Sequence, residues 1–224
     1  MKETVLVVAA HPDGETLGCG ATLLRHAHRG DTLFWCIVTA ISEQYGWPRK
    51  NVKKREREIQ AVSDHYGFEG VYQLGMPTAR LDEQSLGDLV EALGDVVRDV
   101  KPTTIYLPFP GDVHSDHRTV FDAGYSAAKW FRYPSVKRVL VMEIPSETDF
   151  APPFAKAVFS PNVFIDVSNH FQGKLEAMQL YAGELGEHPF PRSEQGIKAL
   201  ATLRGAACGC EYVEAFMLLK ELQR

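Results

Sequence analysis

Short apolar runs alternate along this chain with segments of helical periodicity, and that alternation constrains the fold more than any other feature. Runs at 4–10, 33–39, 70–74, 103–108, 138–143 and 162–166 read as strands. Segments 15–29, 53–66, 86–100, a stretch near 117–131, 168–181 and 193–207 read as helices. Gly30 and Gly67 close the first two helices, and Pro102 lies just beyond the third. The proline-rich stretch 145–161 reads as loop, and 214–219 fits either a strand or a helix. Strand–helix alternation of this kind predicts an α/β fold with a Rossmann-like, mostly parallel sheet and helices on both faces. At 224 residues with 45% hydrophobic content, one domain spanning 1–224 has room for a sizeable core.

Two clusters of histidine and acid stand where two of these strands stop, about a hundred residues apart. His11-Pro12-Asp13-Gly14-Glu15 follows the first run, and His114-Ser115-Asp116-His117 follows the run that ends at Pro108. In parallel α/β sheets, the loops at the C-terminal ends of strands are the usual place for a ligand site. Imidazole and carboxylate are donors that suit zinc, and a catalytic zinc takes three protein ligands and keeps one position open. The pKa of its water falls towards ~7, so a nearby carboxylate can take the proton. An imidazolium alongside can stabilise an oxyanion and protonate a leaving amine. His11, Asp13, His114, Asp116 and His117 are of the right types for these tasks. Either cluster alone could instead be a helix N-cap with an acidic first turn; the two together favour the metal reading. His26, His28, His65 and His170 read as structural or solvated.

Other classes fall away. The first strand-to-helix turn lacks G-x-G-x-x-G. Gly18 and Gly20 fall inside the helix, where close helix–sheet packing is their expected role, so a nicotinamide or flavin enzyme is not expected. A net charge of −5 without a Lys/Arg block argues against nucleic acid as a partner. The apolar runs are too short to span a bilayer, and Met1-Lys2-Glu3 leads directly into a strand without a visible signal peptide. Cys19, Cys36, Cys208 and Cys210 show no disulfide spacing, which points to the cytoplasm. Cys208-Gly209-Cys210 by itself is a weak metal signal.

Ala10-His11-Pro12-Asp13-Gly14-Glu15, with Thr16 to Gly20 behind it, resembles the AHPDDE signature of the PIG-L/LmbE-like family of zinc-dependent de-N-acetylases. Asp112-Val113-His114-Ser115-Asp116-His117-Arg118 looks like that family's second motif. Weaker likenesses run the length of the chain: Arg55-x-x-Glu58, Leu74-Gly75-Met76-Pro77 with Arg80-Leu81, and Arg204-Gly205 with Tyr212 to Phe216. The resemblance implies a Zn2+ cofactor with His11 and His117 as ligands. It implies Asp13 as the general base towards the attacking water and His114 as the cationic acid or oxyanion stabiliser. Asp116 would support His114. Arg55 and Arg80 would reach the substrate, a small N-acetylated amino sugar that loses acetate. Bacterial members of the family are often oligomers, so a homo-oligomer stays open, and no exposed apolar helix selects a state. His188-Pro189-Phe190-Pro191-Arg192 looks like a loop at the rim of the pocket.

One position departs from the pattern. The family's third ligand is the second Asp of its motif, and Gly14 stands there. Losing that oxygen should weaken metal binding by more than the roughly 10–100-fold typical of losing a supporting partner. Glu15 could substitute as a ligand, although one step along a helix rotates a side chain by about 100°. Asp13 could coordinate instead, which would remove the base, or the site could be disabled by drift or by design. The remaining apparatus is intact, which favours a recently lost, engineered or rescued ligand. The expected activity is zinc-dependent hydrolysis of the N-acetyl group of a hexosamine-containing molecule, impaired at Gly14. The alternatives are a sugar-binding or regulatory homologue without turnover and an amidase acting on a non-sugar conjugate.

Overall fold

The structure, a computed structural model, describes residues 2–154 and 158–223. The strands are β1 (Thr4–Ala9), β2 (Thr32–Ala40), β3 (Gly70–Pro77), β4 (Thr104–Leu107), β5 (Arg138–Met142), β6 (Val163–Asp166) and β7 (Val213–Glu221). The helices are α1 (Gly14–His28), α2 (Arg49–Tyr66), α3 (Leu86–Val100), α4 (Ser115–Ser126), α5 (Phe171–Leu180) and α6 (Glu194–Ala206). They build one α/β layer structure around a sheet of order β3-β2-β1-β4-β5-β7-β6. β3, β2, β1, β4 and β5 run parallel, while β7 pairs antiparallel with both β5 and β6. The segment that fitted either element is therefore a strand, held between two neighbours with Phe216 fully buried. Among the described residues, no helix is long and apolar enough to cross a membrane.

The period-two geometry of a strand divides the core in two. Val5, Val7 and Ala9 of β1 join Trp35, Ile37 and Met142 beneath Leu17 and Leu23 of α1, Ile59 and Val62 of α2, and residues of α5 and α6. Leu6, Val8 and Ala10 turn the other way, with Cys36, Val38 and Ile105, onto Leu89, Leu93 and Val97 of α3 and Val120 and Ala123 of α4. Both faces are covered, which is why these strands carry near-continuous apolar runs.

The chain leaves β1 for β2 on one side and later enters β4 on the other. β1 and β4 are neighbours, with Val5 opposite Thr104 and Val7 opposite Tyr106, so the strand order reverses between them. A crevice opens at such a switch point, and the two histidine clusters follow these two strands.

α1, which starts at that crevice, is kinked. Cys19 leaves helical geometry at φ −149 and ψ 20. Buried Glu214 of β7 accepts the freed amides of Ala21 (3.1 Å) and Thr22 (2.7 Å). Lys174 of α5 donates to Leu17 O at 2.8 Å and to Glu214 at 2.7 Å. Gly18 sets the approach to the sheet, since a Cβ there would stand 2.9 Å from Met142 Cβ. Gly20 packs differently from the expectation, facing Tyr66 Oη and Lys174 rather than a strand.

Candidate active site

His11 leaves the end of β1 with its ring held at one nitrogen. Thr39 Oγ1 donates to Ala10 O at 2.7 Å, so it must accept from His11 Nδ1, 2.8 Å away. Thr78 Oγ1 lies 3.2 Å from the same nitrogen. The proton is thereby fixed on Nδ1, and Nε2 keeps a free lone pair. That Nε2 is buried and has no hydrogen-bond partner among the described residues. Burial, followed by the neighbouring His117 and His114 rings, holds His11 well below the usual imidazole pKa. A neutral imidazole with an unused, buried lone pair is what a metal ligand requires.

His117 is built the same way from the other strand end. Its Nδ1 donates to Asp112 Oδ2 at 2.8 Å, and Asp112 Oδ1 in turn accepts from Thr148 Oγ1 at 2.7 Å. Asp112 is fully buried. The arrangement frees His117 Nε2, and the His11 and His117 ring centres lie 5.6 Å apart. These two imidazoles fit a divalent cation of the zinc class.

His114 has the opposite tautomer. It caps α4, with Nδ1 accepting the Asp116 amide at 3.1 Å. Its proton must then sit on Nε2, which makes it a donor rather than a ligand. The ring centre lies 4.6 Å from that of His11.

Asp116 is placed differently from the expectation that it supports His114. Its carboxylate accepts the amides of Ala79 (2.7 Å) and Leu81 (3.1 Å), with Oδ2 3.4 Å from His11 Nε2. The reason is helical geometry, since residues two apart on a helix do not face each other. His11, His114 and Asp116 form the described cluster whose potential ligand atoms all lie within 4.8 Å of one another.

Asp13 sits at the N-cap of α1 with φ 114 and ψ −31, a backbone conformation costing about 1–3 kcal/mol for a non-glycine residue. Such strain is typical of functional turns. Burial, followed by the neighbouring Glu184 carboxylate, raises its pKa well above the usual range. Arg192 opposes that shift from 3.2 Å away.

Glu15, the expected substitute ligand, points elsewhere. It is fully buried, with Oε1 accepting from Thr16 (2.6 Å) and Tyr181 (2.9 Å) and Oε2 accepting from the Asp13 amide at 3.1 Å. The one-residue step along the helix turns it under the motif, where it braces the strained turn rather than reaching the histidines. Gly14 itself has space around it. A Cβ there would meet Ala9 Cβ at 3.6 Å and Ile144 Cδ1 at 4.0 Å, which is ordinary contact.

His11, Asp13, His114 and His117 line a cleft of about 510 Å³, bordered also by Trp47, Arg55, Glu147, Glu184 and Arg192. Arg55 pairs with Glu184 and lies 3.4 Å from Glu58, while Arg192 approaches Glu184 to 3.4 Å. Arg80 takes no part: it is exposed at the start of a short 3-10 turn, and only the backbone on either side of it reaches the cluster, through Asp116. The rim-loop expectation for 188–192 holds at Arg192, which lines the cleft. The rest of that loop lines a neighbouring pocket of about 250 Å³.

Of the six buried side-chain polar atoms without a partner among the described residues, four border the cleft: His11 Nε2, Ser42 Oγ, Glu147 Oε2 and Arg192 Nε. Buried polar groups are normally satisfied, so this concentration marks a ligand site. Sequence reasoning missed Glu184, Glu147 and Ser42, which come from distant loops without a local pattern. Asp112 was within reach, because it stands in the second motif, five residues before the imidazole it supports.

Comparison with known proteins agrees with this architecture. The chain is 27% identical to the uncharacterized deacetylase YaiS of Escherichia coli K12, over 80% of this chain and 90% of that protein. It is also 27% identical to a 1D-myo-inositol 2-acetamido-2-deoxy-alpha-D-glucopyranoside deacetylase of Mycobacteroides abscessus, over 81% of each. The fold matches the N,N'-diacetylchitobiose deacetylase of Pyrococcus horikoshii with a TM-score of 0.78 at 18% identity, covering 96% of this chain and 83% of that one. Residues 6–128, which carry both histidine clusters, match the family described as PIG-L, GlcNAc-PI de-N-acetylase. With that match spanning more than half of its length, the chain belongs to the PIG-L family.

Proposed function

We propose that this chain is a metal-dependent hydrolase that removes the N-acetyl group from a small hexosamine-containing molecule. The observation that carries the reading is the aim of the two imidazoles: His11 and His117 are each anchored through Nδ1, with Nε2 free at the switch point of the sheet. Zinc held by these two nitrogens would supply Lewis acidity to the acetamide carbonyl and to the attacking water.

Asp13 takes the proton of that water. Its raised proton affinity suits a base working near neutral pH. His114 donates a hydrogen bond from Nε2–H to the developing oxyanion, and the proton that Asp13 took from the water passes to the departing amine. Ser42 Oγ and Glu147 Oε2, both without partners among the described residues, offer hydrogen bonds to sugar hydroxyls, and Trp47 and Ile59 give the cleft apolar surface. Arg55 borders the same cleft and orients polar groups of the substrate. Deacetylases of N-acetylated sugars among the relatives favour the same substrate class.

Gly14 leaves the activity low, and Gly14→Asp, which fits the space around position 14, raises it. The test is release of free amine and acetate from a panel of N-acetylhexosamine derivatives by zinc-loaded native chain and Gly14→Asp, with Asp13→Ala as control. Turnover at least tenfold higher in Gly14→Asp, and lost with Asp13→Ala, is expected. If Gly14→Asp holds zinc yet releases nothing from any N-acetylated sugar, the reading fails, and the pocket belongs to a binding protein or to an amidase for another class of conjugate.

A further inference from the structure

The oxygen donor absent at position 14 has a counterpart across the cluster. Asp116 is fully buried, and its Oδ2 lies 3.4 Å from the unpartnered His11 Nε2. Two donors about 2.0–2.2 Å from one tetrahedral zinc stand roughly 3.3–3.5 Å apart, so this pair has the spacing of two ligands of one ion. The amides of Ala79 and Leu81 take one lone pair from each Asp116 oxygen and fix the carboxylate's direction. A second lone pair on Oδ2 stays available.

We propose that Asp116 supplies the third protein ligand in this chain, so that a zinc-class divalent cation is held by His11 Nε2, Asp116 Oδ2 and His117 Nε2, the last of which stands outside the described 4.8 Å cluster and closes on the ion when it binds. This rests on the reading of the cleft as a metal centre. His114 shares the cluster with His11 and Asp116, but its Nδ1 lone pair already accepts an amide. Ligation through Nε2 would demand an imidazolate, so His114 remains a hydrogen-bond donor through Nε2–H. Asp116 thereby compensates for Gly14.

Zinc affinity, measured by competition with a chromophoric chelator, tests this on the full chain as native protein, Asp116→Asn, Gly14→Asp and the double variant. Asp116→Asn should cost about 100-fold or more in the native background but less than about tenfold once Gly14→Asp provides its own carboxylate. An equal loss in both backgrounds would mean that Asp116 only holds the loop at Ala79 and Leu81, and it overturns the proposal. Zinc bound by Gly14→Asp but not by the native chain overturns it as well, while leaving the metal-dependent function standing. Zinc bound by neither overturns both. Cobalt(II) in the unmutated chain gives a readout that does not depend on a variant folding. The X-ray structure of that chain with the ion bound is expected to show cobalt about 2.0–2.2 Å from Asp116 Oδ2, and an ion with Asp116 outside bonding distance overturns the proposal.

Discussion

At the scale of single residues, the site depends on which nitrogen of each histidine is occupied. Thr39 and Asp112 hold the Nδ1 protons of His11 and His117, whereas a backbone amide occupies Nδ1 of His114. Three chemically identical side chains are thereby sorted into two with an Nε2 lone pair and one with an Nε2–H. Arg192 tunes the fourth group, since its guanidinium lies 3.2 Å from Asp13 and opposes the rise that burial and Glu184 impose. Arg192→Met should let the Asp13 pKa rise further. A base works only when deprotonated, so the acidic limb of the kcat/KM profile should move to higher pH while the basic limb stays. A pH–rate series on Gly14→Asp with and without Arg192→Met checks this, and an acidic limb that stays in place removes Arg192 from the account.

At the scale of elements, α1, which starts at the crevice, is kinked. The buried Lys174–Glu214 pair replaces the hydrogen bonds that the helix loses at Cys19, donating to Leu17 O on one side and accepting from Ala21 and Thr22 on the other. Removing one partner of a buried pair leaves the other charge uncompensated, so Lys174→Met should lower stability by about 3–5 kcal/mol in urea denaturation. A loss under about 1 kcal/mol would mean that the break sustains itself without the pair. Sequence periodicity could not find this break. Residues 15–29 read as one unbroken helix, and the groups that stabilise its interruption come from α5 and β7. The same limit applies to 214–219, whose strand pairing is decided by β5 and β6 on either side.

At the scale of the whole molecule, the legible part was whatever the local pattern encodes. Apolar runs located the strands, and residues just past two of them located the histidines. The α/β alternation did not by itself give the adjacency of those strands, which the sheet order supplies by placing β1 beside β4. What stayed hidden was direction. Glu15 lies one residue from the position of the missing ligand, yet it faces Thr16 and Tyr181 beneath the turn. Asp116 was read as the support of His114 but lies against His11, and Arg80 was expected in the cleft but stands outside it. Such side-chain directions depend on tertiary contacts, so the composition of a motif alone does not fix them.

The central claim is that His11 and His117 together hold a metal at the switch point of the sheet. Crystals of the unmutated chain grown with zinc, measured on either side of the zinc absorption edge, test it most directly. The account predicts one strong anomalous peak about 2.0–2.1 Å from both His11 Nε2 and His117 Nε2. A cleft without such a peak, with zinc found only at surface groups such as Cys208 and Cys210, would contradict it.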